Sequence, residues 1–582
     1  MIQRYILFQE LISDIRNYRH DILRHGVCVP FSCLGPSSNI TLFKSNHKAL
    51  QEELSKCYTK KYAELGLKST VTHMHCETHE PFYKIDTYDM LVAKCLFTIF
   101  VLVVIGSFYE GCARYKTEKE YEEITSRGVG KILTCFSLPK NWDRLRTISN
   151  SPDAVALRPF NAIRFYNMCL VITAHTSMAN MGIPTLNLQY FEKLTEDPLN
   201  MLLVNGGYTT QSFFLMSGWL LSYHFFSKFE KQKDVKWSNI ILLFIHRYVR
   251  LTPVFLVMTA LGGTWIAHVG RGPFWDKVVG TEYHNCRKNG WSNLLYIHSY
   301  NDFYHGCLQQ SWFLAADMQV LLLSSVVLTL VCKYQHRIKL ILGAYLVIGT
   351  LIPGIINYVY DYDIIMRINP ESMYNGMIDH KEWQETYIPP YVNISGYALG
   401  LIFGYLFYKR KGEKILTNKF YVAIWWIMSW GIPLAVIFVA IPVYKDSYQH
   451  SRMLAAIYTG LARPAHALGI ALILFGAYQG VGWFQRDVLF WSPVTILGRL
   501  SFCAYLGHSF VTRIRAGFVR TPMYINFYVV LCQTLGDIAL SFIFALIVCL
   551  FVEMPAAALQ KFLFSPPEEK KKQASDTKKK LK

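Results

Sequence analysis

Apolar stretches long enough to cross a bilayer recur roughly every 30 to 40 residues along this chain. No other feature restricts its possible folds so much. In a bilayer every backbone polar group must be satisfied within the segment, so such runs can only be helices. They fall near 90–108, 165–183, 201–226, 253–268, 308–332, to about 358, 389–408, 420–441, 461–481, 494–511 and 524–552. The chain is 52% hydrophobic and 17% charged, with a formal charge of +19. That charge does not point to nucleic acid, because the Lys and Arg gather in short connections, as the positive-inside rule expects. Basic connections at 114–146, 228–250, 333–339 and 409–414 are therefore expected in the cytosol, with 269–307 and 360–388 on the lumenal or outer side. Eleven spans leave the N-terminus lumenal or extracellular and the C-terminus cytosolic. The membrane is that of the endoplasmic reticulum or the cell surface, and the terminal KKLK matches a dilysine retrieval pattern.

The expected organisation is a cysteine-containing outer region at 1–89, a first span at 90–110 and a basic cytosolic linker at 111–157. A helical membrane domain at 158–564 and a basic tail at 565–582 follow. No secretory leader is visible after Met1. The sequon at Asn39 is compatible with glycosylation on a lumenal or outer face. Cys95, Cys169, Cys332, Cys503, Cys532 and Cys549 lie in apolar runs and read as packing residues. Cys28, Cys33, Cys57, Cys76, Cys286 and Cys307 lie in polar segments suited to disulfides. Cys286 and Cys307 flank one outer loop and are expected to pair; the pairing among the first four is open.

Chemistry is sought where ionisable residues enter apolar runs, since such residues are costly there. Arg164 and His175 stand eleven residues apart. On one helix this is about three turns, so both share a face, about 16 Å apart. The arginine then meets the water boundary and the histidine the bilayer midplane. A lone membrane histidine also serves simply to hydrogen-bond a neighbouring helix. Further members of a polar interior are Asp317, Arg463, His508 and Glu553, with Asp317 and Arg463 a possible pair. Arg247 and Arg250 sit at i and i+3 on one helix face. Ser217-Gly218, in TTQSFFLMSGWLL, permits close helix approach. No metal-ligand spacing is present, and none is expected.

The Arg164-x10-His175 pair, RYVR at 247–250 and SFFLMSGWLLS resemble the membrane acyltransferase-3 family. CVPFSC, RYVRLTP, SWFLAADMQ, GYALGLIFGYL and AYLGH narrow the resemblance to its nose-resistant-to-fluoxetine branch, over about residues 25–564. At 466, where this branch usually carries an aromatic, the chain has His. The resemblance implies an all-α polytopic membrane protein: a ten-helix acyltransferase core with one preceding span. It also implies an O-acyltransferase using acyl-CoA as co-substrate, with no bound cofactor. Arg158, Arg164, Arg247, Arg250 and Ser217 would stand near the anionic donor. His175, with Arg164 as the second catalytic residue, would act on the hydroxyl of a lipid, sterol or glycan acceptor or carry the acyl group itself. The alternative is a lipid or xenobiotic transport or binding protein that reuses the bundle without catalysis.

Overall fold

The computed structural model describes residues 14, 16–22, 33, 47–72, 74, 83–126, 128–230, 235–375 and 381–564. Cys28, Cys76, the Asn39 sequon and the 565–582 tail lie outside the described residues. The long helices are α1 (Thr87–Arg114), α2 (Arg158–Met181), α3 (Thr210–Phe229), α4 (Trp237–Gly262), α5 (Trp312–Lys333) and α6 (Ile338–Tyr360). They continue with α7 (Ile394–Lys409), α8 (Lys419–Phe438), α9 (Arg452–Gln479), α10 (Ser492–Arg499), α11 (Ser501–Gly517), α12 (Phe527–Val548) and α13 (Met554–Phe564). A π-turn, Cys549–Glu553, joins the last two. Among the described residues no strand forms, so the protein is all-α and membrane-embedded.

Among the described residues seven helices are long and apolar enough to cross a bilayer, or eight if the α10–α11 pair, bent by 69°, is one span. Helices α2, α3 and α7 are not among them. They make the inner layer: Ile394 to Leu401 are all buried, as is most of α3. Polar and small residues there exchange lipid contact for contact with one another. Glycines make this possible. A Cβ on Gly400 would lie 2.2 Å from the Leu215 carbonyl, and one on Gly218 would lie 2.3 Å from that of Tyr397. Ser222 donates to the Leu401 carbonyl at 2.8 Å across the same seam.

Several expected boundaries move. The 201–226 run is broken into a short helix (Met201–Val204), a 3-10 turn (Gly206–Thr209) and α3, because Asn205-Gly206-Gly207 interrupts it. Pro253 does not open the fourth helix. It lies inside α4, whose apolar first half starts at Trp237. The 494–511 run is split at Arg499–Leu500–Ser501, where Gly498 rides on the Asn161 carbonyl of α2.

Contacts gather the basic connections on one face of the bundle. Arg499 donates to the Leu145 carbonyl, Gln560 to that of His246 and Gln335 to that of Glu230, while Lys409 pairs with Glu230. The opposite face carries the Cys286–Cys307 disulfide and the contact of Lys277 with the Tyr374 ring. The expected Cys286–Cys307 pair forms. A loop of that length contributes about 3 kcal/mol in the chain-entropy model. Cys33 pairs with Cys57, a choice the sequence left open. Tyr18, buried, donates to the Met181 carbonyl at 3.1 Å, holding the N-terminal segment on the disulfide face.

Candidate active site

A cavity of about 4150 Å³ runs through the bundle. Its lining includes Arg250 and Gln560 on the basic face, His175 and Asp317 inside, and Lys277 and His305 on the disulfide face. Helix α2 brings Arg164 and His175 to this cavity on a single face, as their spacing requires.

His175 does not stand alone. Its ring meets that of His508 edge-on, with centroids 4.9 Å apart, and His175 Nδ1 lies 3.4 Å from His508 Nε2. His508, wholly buried on α11, has its Nδ1 2.7 Å from the Tyr505 carbonyl and 3.2 Å from that of Ala504. Carbonyls only accept, so Nδ1 of His508 carries the proton. In the neutral ring Nε2 is then an acceptor, and His175 Nδ1–H donates to it. The remaining nitrogen of His175, Nε2, keeps its lone pair. Two backbone carbonyls thus fix the tautomer of a histidine on another helix.

Next to His175 a polar network fastens α2. Thr176 donates to Asp537 Oδ2 at 2.8 Å, and Arg515 Nε reaches both Asp537 oxygens at 3.0 Å. Arg515 also donates to Asn180, and Asn180 to Gln533. The sequence reading missed these residues. Asp537 carries the same signal that flagged Asp317, an acid within an apolar run.

The arginines separate into different roles. Arg247 forms an ion pair with Asp317, which is buried, and donates to Ser217 Oγ at 3.4 Å. It is therefore not a free fork, and the possible Asp317–Arg463 pair does not form. Arg463 instead donates to the carbonyls of Thr386 and Thr459. The pair leaves Arg247 Nε and Asp317 Oδ1 buried without a partner among the described residues. Each such atom costs about 1–3 kcal/mol. Arg164 has one side-chain bond, 3.4 Å to Asn161, and Arg250 is exposed at the cavity lining. Arg158 is not brought to the cavity. It turns back to Ser149 and Asn150, which corrects its expected place beside the donor. Glu553 lines the cavity and accepts from the Cys503 thiol at 3.0 Å. Toward the disulfide face, Glu382 lines the cavity, and burial, with Asp363 nearby, pushes its carboxyl up to about 8.

A free imidazole nitrogen inside a membrane cavity, flanked by guanidinium groups, can take a proton from a hydroxyl and steady an anionic partner. The family model described as "Acyltransferase domain" (Acyl_transf_3) matches residues 159–554, which hold His175, His508, Asp317 and the arginines named above except Arg158. Nose resistant to fluoxetine protein 6 of Caenorhabditis elegans is 23% identical over 572 residues, covering 94% of this chain and 67% of that protein. No solved structure matches. The chain, then, belongs to the membrane acyltransferase-3 family.

Proposed function

We propose that this protein is an integral-membrane O-acyltransferase. It takes an acyl group from acyl-CoA on the cytosolic side, which is the basic face, and delivers it to a hydroxyl of a lipid, sterol or glycan. Residues 158–564 form the acyltransferase unit in this reading, preceded by a basic linker, one span and a lumenal or outer region. The observation that carries the reading is Nε2 of His175, without a hydrogen-bond partner among the described residues, inside a cavity lined from both faces.

The donor's phosphates are held at Arg250 and Arg164, both cationic and both on the cavity. Its thioester arm reaches inward along α2, about 16 Å from Arg164 to His175. There Nε2 takes the proton of the acceptor hydroxyl as its oxygen attacks the thioester carbon. The tetrahedral intermediate collapses, the C–S bond breaks, and the imidazolium returns the proton to the CoA thiolate. The products are an ester and free CoA. His508 steadies the imidazolium, because its Nε2 accepts from the Nδ1–H of His175 throughout.

The test is release of CoA and formation of ester by the purified full chain in detergent. His175→Ala lowers turnover by about 10²–10⁴-fold with an unchanged melting temperature. Arg250→Ala weakens acyl-CoA binding about tenfold to a hundredfold, because a charge-assisted bond to phosphate is lost. Wild-type turnover by His175→Ala overturns the mechanism. A second reading, carriage of a lipid or xenobiotic, draws on the size of the cavity, well above the ~300–1,000 Å³ of an ordinary small-molecule site. Uptake that is independent of acyl-CoA and indifferent to His175→Ala would favour it.

A further inference from the structure

Cys503, near the start of α11, and Cys549, which opens the π-turn after α12, are both fully buried. Together with Glu553 each offers a ligand atom within 4.8 Å of the other two. The thiol of Cys503 is 3.0 Å from Glu553 Oε2. Glu553 follows Cys549 at i+4, so the π-turn stacks both on one side, facing α11. Among the described residues no cation pairs with Glu553, and its hydrogen-bond partner is the Cys503 thiol. A carboxylate half-buried in a bundle, with two thiols and no countercharge, is a place for a soft cation.

We propose that Cys503, Cys549 and Glu553 bind a thiophilic divalent cation of the zinc type. Binding replaces two thiol protons by one doubly charged ion and releases both protons to solvent. The net charge of the cluster stays at −1, so loading adds no charge to the bundle. A tetrahedral zinc ion needs sulfur atoms about 3.8 Å apart and sulfur-to-oxygen separations of about 3.6 Å, given bonds of about 2.3 and 2.1 Å. The three ligand atoms lie within 4.8 Å of one another, and the 3.0 Å contact between Cys503 Sγ and Glu553 Oε2 opens by about 0.6 Å to admit the ion. Glu553 lines the cavity, so a fourth coordination position faces it. The ion would staple the start of α11 to the end of α12 on the basic side of the bundle.

The experiment uses the full chain in detergent with the exposed Cys95, Cys112 and Cys532 changed to Ser. It is stripped with a chelator and titrated with cadmium, following the thiolate-to-cadmium absorption and, after zinc loading, the metal content by elemental mass spectrometry. One ion per chain is expected. Cys503→Ser and Cys549→Ser each lower cadmium affinity by more than about 100-fold, beyond the loss typical of an outer-shell change. Cys332→Ser, a buried thiol outside the cluster, leaves it unchanged. Cadmium also raises the melting temperature of the parent chain and not of the two variants. Absence of the thiolate absorption in the folded parent chain, or uptake by both variants equal to the parent's, overturns the proposal. The parent chain alone suffices to overturn it, even where a variant fails to fold.

Discussion

A buried ion pair and a free imidazole place different demands on single residues, and Arg247 and His175 show both. Arg247 is held by Asp317, which is almost wholly enclosed, at 1% side-chain exposure. Removing the arginine leaves that carboxylate without a countercharge, which costs about 3–5 kcal/mol. Arg247→Met should therefore lower the melting temperature sharply, and Arg247→Met combined with Asp317→Leu should recover most of the loss. A double variant no more stable than the single one would remove the pair from the account. Much of this was legible one residue at a time. Arg164, His175 and Asp317 stand out because ionisable groups are conspicuous in apolar runs. The pairing of His175 with His508 was not legible, because it joins residues 333 positions apart. Arg158 misled because its charge and place on α2 suit a donor site, while its side chain turns toward Ser149.

Among the elements, α3 and α7 press together more closely than any side chain would allow. The Leu215 carbonyl occupies the space where a Cβ on Gly400 would lie. Gly400→Ala should cost about 1–3 kcal/mol or more through overpacking, read as a lower melting temperature. Gly431 in α8 is exposed, with nothing within 4 Å of an added Cβ, so Gly431→Ala should be neutral or slightly stabilising. Equal changes at both positions would mean that the close contact at Gly400 does not set the cost. Ser217-Gly218 gave a fair warning of this seam, whereas the break before α3 was hidden by hydrophobicity. Met201, Leu202 and Leu203 look continuous with α3 when counted as apolar residues, although Asn205-Gly206-Gly207 separates them. Hydropathy also under-read α4: the expected span near 253–268 begins well inside a helix that starts at Trp237, because His246, Arg247 and Arg250 punctuate its first half.

The whole molecule has two unlike faces, and its orientation in the cell is a matter of labelling. With reporter cysteines placed singly at Lys411 and Asp302, an impermeant reagent added to sealed cells or microsomes should reach 302 only from the lumenal or outer side. It should reach 411 only after permeabilisation. Outside labelling at 411 would invert the proposed topology and with it the side from which acyl-CoA enters. The inner position of α2 has a further consequence, one of time. Helix α2 is more polar than the helices apolar enough to span, and Thr176 meets Asp537 across 361 residues of chain. At ribosomal rates of about 5–20 residues per second, that partner is synthesised about 20–70 s after Thr176. For that interval the helix bearing Arg164 and His175 is without its acidic partner. It must be sheltered by the insertion machinery or by the earlier helices, which makes the last helices of the chain the ones that complete biogenesis of the first helix of the core.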